Sequence, residues 1–201
     1  MTGLSVLLLG IGLGLRHATD ADHVVVISAL VQRESGTWRA ARLALLWGAG
    51  HSVSFMTLGL LIVLFGVQLP EQFEHYVEYL VAAMLIGFGL WHLLRRKPTP
   101  ALAAKTAAAS VRPLAIGMVH GLAGSAGIAL IATTTIDSRP LAAAYLVLVA
   151  LGTVIGMVAL TALMARPMGW TTRNNGRLNT VVTFVAAALS VALGVSILLG
   201  G

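Results

Sequence analysis

The chain has 201 residues, 58% of them hydrophobic and 10% charged, against about 45–50% and about 25% in soluble domains, which excludes a soluble single-core protein. Its formal net charge is +6, from 13 Lys and Arg against 7 Asp and Glu, but the basic residues flank apolar runs and form no basic face, so nucleic acid is not an expected partner. With no cysteine there is no disulfide framework, thiol redox site or thiolate zinc site, and six histidines and seven carboxylates are the available metal ligands.

Crossing the hydrocarbon core takes roughly 17–25 mainly apolar residues, and six stretches qualify: 3–31, 43–67, 79–94, 113–134, 141–165 and 178–200. The expected fold is an all-α integral membrane protein with six transmembrane helices in a single domain, 1–201. The first stretch has the apolar run of a signal peptide, yet no Lys or Arg precedes it and Arg16-His17-Ala18 is a poor cleavage site, so it reads as mature protein.

Of the 20 formally charged residues, only Arg16, Asp20 and Asp22 fall inside the six stretches, all in the first and crowded around His17 and His23. A carboxylate at the centre of a spanning helix costs roughly 2.5–3.5 kcal/mol on insertion scales, so two of them need compensation or a water-filled cavity. An Arg16–Asp20 pair at i,i+4 is the packing alternative, and it leaves Asp22 and both histidines without a role. At about 100° per residue, His17, Asp20 and His23 share one face of a regular helix and Asp22 lies off it. If the helix opens, Asp22 swings in beside His23.

Length favours opening, because 29 residues reach roughly 43 Å as a helix against a hydrocarbon core of about 30 Å. Gly10, Gly12 and Gly14 also ease irregular backbone just before the charges. Discontinuous helices near the midplane are where transporters build ion sites. Two imidazoles with one or two carboxylates suit a divalent first-row metal such as nickel, cobalt, zinc or manganese.

The second stretch places His51, in Gly50-His51-Ser52, about 12 Å from its end at helical rise. A lone intramembrane histidine is ordinarily a packing residue; its depth beside the first cluster makes His51 a candidate ligand. In the next loop Glu71, His75 and Glu78 would share a helical face able to capture cations weakly, but read rather as a solvated loop. His92, near Arg95, is expected to snorkel to the interface. Residues 95–112, alanine-rich with Pro98 and Pro100, read as a linker.

The fourth stretch carries His120 at a depth similar to His51, as a further candidate ligand. Gly117, Gly121 and Gly124 form a small-residue stripe suited to close helix packing. The halves 1–94 and 113–201 also match weakly at an offset near 103: Gly14-Leu15-Arg16-His17 lies over Gly117-Met118-Val119-His120, and Val81-Ala82-Ala83 over Val185-Ala186-Ala187. Three spans per half make such a 3+3 repeat inverted, a plan common among transporters.

Loops one, three and five hold 11 of the 13 basic residues, so they are expected in the cytoplasm, with both termini outside a multi-pass cytoplasmic-membrane protein.

The segment Arg16-His17-Ala18-Thr19-Asp20-Ala21-Asp22-His23-Val24 resembles the H-x4-D-H signature of the nickel/cobalt transporter family, and Gly50-His51-Ser52 resembles that family's second motif. The resemblance implies a secondary permease in which His17, Asp22 and His23 are needed for nickel or cobalt uptake, with Asp20 at the signature's other acidic position. Larger members have eight spans and further Asp-Thr motifs in the second half. This chain has six stretches and no carboxylate in any after the first; its Gly117-Met118-Val119-His120-Gly121 looks like the shorter, urease-accessory-type branch.

The expected metal ligands are therefore His17, Asp20, Asp22, His23, His51 and His120, serving a transported ion rather than a resident cofactor. No phosphate-binding G-x-x-x-x-G-K-[ST] loop is present. A divalent cation entering a cell at 100 mV gains about 4.6 kcal/mol, enough to drive uptake. An intramembrane serine hydrolase using Ser125 with His120 or His51 is the enzymatic alternative, and it gives Asp20, Asp22 and His23 no task. A metal exporter is the other alternative. Membrane lipid and a transition-metal ion are the expected partners, and a homo-oligomer or a metalloenzyme maturation system is compatible with the sequence.

Overall fold

The computed structural model describes residues 3–31, 36–94, 107–123, 125–174 and 176–200. They form eight helices: α1 (Gly3–His17), α2 (Ala21–Val31), α3 (Thr37–Phe65), α4 (Glu71–Leu94), α5 (Ala107–His120), α6 (Ser125–Thr135), α7 (Arg139–Asn174) and α8 (Gly176–Leu198), with no strand among the described residues. Four segments are long and apolar enough to cross a membrane: Thr37–Phe65, Gln72–Leu94, Arg139–Thr171 and Gly176–Leu198. The protein is an all-α, multi-pass membrane protein.

The other two expected spans are not continuous helices. Stretch 3–31 divides into α1 and α2, and stretch 113–134 into α5 and α6. At the first break the backbone ladder tightens from i−4 to i−3: Thr19 N–H donates to Arg16 O and Asp20 N–H to His17 O. The Thr19 hydroxyl also donates to Arg16 O at 2.6 Å, competing for an acceptor the helix would use. Helix α2 restarts with Val24 N–H on Asp20 O. At the second break Ala123 N–H bonds His120 O, again i−3.

Other boundaries move for local reasons. Helix α4 begins at Glu71, eight residues before the expected 79, because the carboxylate of Glu74 near its start suits the positive end of a helix. Residues 95–106 of the expected linker lie outside the described residues, with Arg95, Arg96, Lys97 and Lys105, as does Arg33 of loop one. The remainder, 107–112, is already helix α5, as the strong propensity of Ala107-Ala108-Ala109 favours. Helix α7 runs 36 residues, through Pro167 to Asn174, so most of the expected fifth loop is helical. Helix α3 stops at Gly66, whose φ of 67° lets its own N–H donate to Ile62 O and the Val67 N–H donate to Leu61 O.

Helices α3 and α7 pack together at the centre, α1 lies along α7, α5 along α3, and α4 pairs with α8. Small residues allow these approaches. A Cβ on Gly14 would collide with Val149 O and Thr153 N of α7, and a Cβ on Gly117 with Trp47 O and His51 N of α3. Gly50 meets Leu114 O, and Gly152 meets Ile11 O. The Ser190 hydroxyl donates to Leu85 O at 2.7 Å, tying α8 to α4. Two apolar clusters fill the interior, one around Ile27, Trp47, Leu85 and Met157, the other around Phe55, Tyr145, Leu146 and Val149. Large apolar side chains such as Leu4, Phe65, Phe184 and Leu189 point outward, as a lipid-facing surface requires.

Candidate metal centre

Breaking the first span after His17 decides where its charges go. His17 ends α1, Asp22 and His23 sit in the first turn of α2, and the three residues between are a turn. Asp22 thereby comes round beside His23, with Oδ1 3.2 Å from His23 Nδ1. Helix α3 brings His51, because Gly117 and Gly121 let α5 lie on the α3 backbone at Trp47 and His51. Ser54 secures that contact by donating to Met118 O at 2.7 Å. Helix α5 ends on His120, whose Nε2 lies 2.8 Å from Asp22 Oδ2.

Four imidazoles from separate helices thus meet at one place. The His23 ring centroid lies 4.6 Å from that of His17, 5.1 Å from His51 and 4.7 Å from His120. His23, His51 and His120 are each 1% exposed. Among the described residues, His23 Nε2, His51 Nδ1 and His120 Nδ1 have no hydrogen-bond partner. A buried polar atom left unsatisfied costs about 1–3 kcal/mol, a cost that a ligand bound at this cluster would relieve. Imidazole nitrogen beside carboxylate is the donor set of a first-row divalent ion.

The donors fall into two groups, each with ligand atoms within 4.8 Å of one another: His17, His23 and His51, and Asp22, His23 and His120. Asp20, expected as a ligand, belongs to neither. The turn makes it the residue before α2, where its carboxylate is 51% exposed and accepts the His17 Nδ1–H at 2.8 Å. That bond fixes the His17 ring and leaves Nε2 as its donor atom, the arrangement by which outer carboxylates orient metal-binding histidines. In place of the regular-helix grouping of His17, Asp20 and His23, His17 joins His23 and His51, and Asp22 joins His23 and His120.

Sequence reasoning passed over Trp47. Its buried ring packs 5.4 Å from His23 and 5.6 Å from His120, closing one side of the cluster. Its place one turn before His51 on an apolar helix was the available signal. The stacked ring of Phe55 backs His51 at 6.4 Å. His75 and Glu78, a well-exposed pair 3.6 Å apart on α4, belong to neither donor group. His92 hydrogen-bonds the Phe88 carbonyl at 2.8 Å instead of reaching outward, because a histidine in a last helical turn finds that i−4 acceptor at hand.

UreH, a urease accessory protein of Bacillus sp. (strain TB-90), is 32% identical to this chain over an alignment of 148 residues. The alignment covers 67% of this chain and 64% of that relative, just under two thirds of its length. The chain is thus similar to a urease accessory protein over two thirds of its own length. No family model matches the chain, and no solved structure matches it. His17, Asp22 and His23, whose H-x4-D-H spacing resembles the nickel/cobalt transporter signature, and His51 of Gly-His-Ser are among the converging donors, with His120 added from the second half.

Proposed function

We propose that this protein is a secondary permease that moves a divalent transition-metal cation, nickel or cobalt, across the cytoplasmic membrane through the site formed by His17, Asp22, His23, His51 and His120. The observation that carries this reading is the convergence of buried, unsatisfied imidazole nitrogens at a break in a membrane helix. Discontinuous helices expose backbone and side-chain ligands where a continuous span offers neither. Asp20 acts as the outer partner of His17.

In this reading α1 with α2, and α5 with α6, each make one interrupted crossing, giving six crossings in an inverted 3+3 plan. The two breaks support it, following His17 and His120 at a separation of 103 residues. The glycine contacts support it too: Gly14 of α1 on α7 and Gly117 of α5 on α3 occupy matching places in the two halves. Loops one, three and five face the cytoplasm and both termini face outward. The accessory-protein relative suggests that the metal taken up serves maturation of a metalloenzyme. The serine-hydrolase alternative, whose Ser125 side chain lies outside the described residues, would leave the donors around His23 without a task.

The test is uptake of radiolabelled nickel or cobalt into proteoliposomes under an imposed inside-negative potential. Accumulation that His17→Ala and His23→Ala abolish is the expected result. Wild-type vesicles that accumulate neither metal refute the permease, and accumulation only under the reverse gradient makes the protein an exporter.

A further inference from the structure

The five donors do not surround one point. An ion bound by nitrogen at about 2.0–2.1 Å places any two of its ligand atoms no more than roughly 4.2 Å apart. Among the described residues, His17 and His51 group with His23, Asp22 and His120 group with His23, and no group joins His17 to Asp22 or His120. His23 stands between, with its ring edge-on to His17 at 69°, to His51 at 70° and to His120 at 89°. Its two ring nitrogens point in different directions: Nδ1 is taken by Asp22 at 3.2 Å, and Nε2 has no partner.

We infer that the cation occupies two successive positions, one held by His17, His23 and His51 and the other by Asp22, His23 and His120, with His23 the ligand common to both. The inference rests on the transport reading for what the positions accomplish, and on geometry for their existence. Sharing one ligand lets an ion move between positions without becoming free in a low-dielectric interior, where an unpaired charge is very costly. It also makes the positions exclusive, because two cations bridged by one imidazole would repel strongly there.

The positions differ in chemistry. The first offers three imidazoles and no carboxylate, with the Asp20 charge held behind His17. The second offers two imidazoles and the Asp22 carboxylate directly. Each has one member in contact with the surroundings: the His17 side chain is 15% exposed and that of Asp22 26%, while His23, His51 and His120 are sealed. Each position therefore has one ligand that reaches the surface, and His23 is common to both.

The experiment compares nickel binding by titration calorimetry on the purified full-length protein in nanodiscs with nickel uptake by the same variants in proteoliposomes, and records the cobalt(II) absorption spectrum of each loaded form. Wild type is expected to bind one ion per chain. His51→Gln and His120→Gln, each sparing one position, are expected to bind one ion still, with different cobalt spectra, yet to lose uptake. His23→Gln and the double variant His51→Gln/His120→Gln are expected to lose affinity by more than the roughly 10–100-fold that removal of an outer partner costs. If His51→Gln and His120→Gln, monodisperse by size exclusion, each lose binding as fully as His23→Gln, the donors form a single composite site and the inference fails. Two ions per wild-type chain also overturn the inference. Wild type that transports with such a composite site leaves the permease standing without two positions, whereas wild type that shows the two-position binding pattern without transport leaves the positions standing without the permease.

Discussion

Substituting Gly117 by alanine tests whether the site depends on the closeness of α5 to α3. The added Cβ would lie 2.9 Å from His51 N and from the Trp47 carbonyl carbon, and closer still to the Trp47 oxygen. Ordinary contact begins near 3.4 Å, so α5 must retreat by at least 0.5 Å. These contacts are backbone atoms in the middle of a 29-residue helix, which has little freedom to give. His120 lies one turn further along α5 and moves with it, away from Asp22 Oδ2, now 2.8 Å from its Nε2.

Metal–ligand distances tolerate about 0.2 Å, so the retreat exceeds what the site absorbs. Stability changes less, because overpacking of about 1–3 kcal/mol is partly offset by a gain of about 1 kcal/mol in helix propensity. Uptake of nickel in proteoliposomes should fall by at least about tenfold, the low end of the range for disturbing a ligand's support, while the unfolding temperature in detergent changes only slightly. Gly12→Ala and Gly87→Ala, where an added Cβ meets nothing within 4 Å, should transport as wild type. Wild-type uptake by Gly117→Ala, or equal loss in the Gly12 and Gly87 controls, would refute the dependence on helix approach.

Asp22→Asn should abolish uptake, because it removes the charge that faces both His23 and His120, whereas Asp20→Asn should only weaken it, by about 10–100-fold in metal affinity; equal effects on half-saturation and maximal rate would return Asp20 to the ligand set. Ser54→Ala removes the hydroxyl that donates to Met118 O and should lower stability by about 1 kcal/mol, with uptake lost only as far as His120 shifts; thermal unfolding and uptake on one preparation check both. A single cysteine at Ala104 should be labelled only after permeabilisation, and one at Thr2 in intact cells, with the opposite pattern reversing the assigned orientation.

Much of this protein was legible from composition and local chemistry. Apolar runs of spanning length can satisfy backbone hydrogen bonds in lipid only as helices or closed barrels, and these runs lack strand alternation, so an all-α membrane protein followed directly. The charges between Arg16 and His23 stood out because no other formally charged residue falls in the apolar stretches. The opening of the first helix was foreseeable from its excess length and glycines, and with it the arrival of Asp22 beside His23.

The matching break after His120 was not foreseeable, because 113–134 carries no charge and its glycines read equally well as a packing stripe. Periodicity also could not rank the acidic residues: on a regular helix Asp20 shares the histidine face, and only the i−3 turn at Thr19 and Asp20 sends it outward to orient His17. Least accessible of all was the meeting of His23, His51 and His120. Each lies on a different helix, and their approach depends on backbone-to-backbone contact at Gly117 and Gly121. A sequence states which residues are small enough to permit such contact, but which helix comes to lie there is decided by how all the apolar faces pack at once.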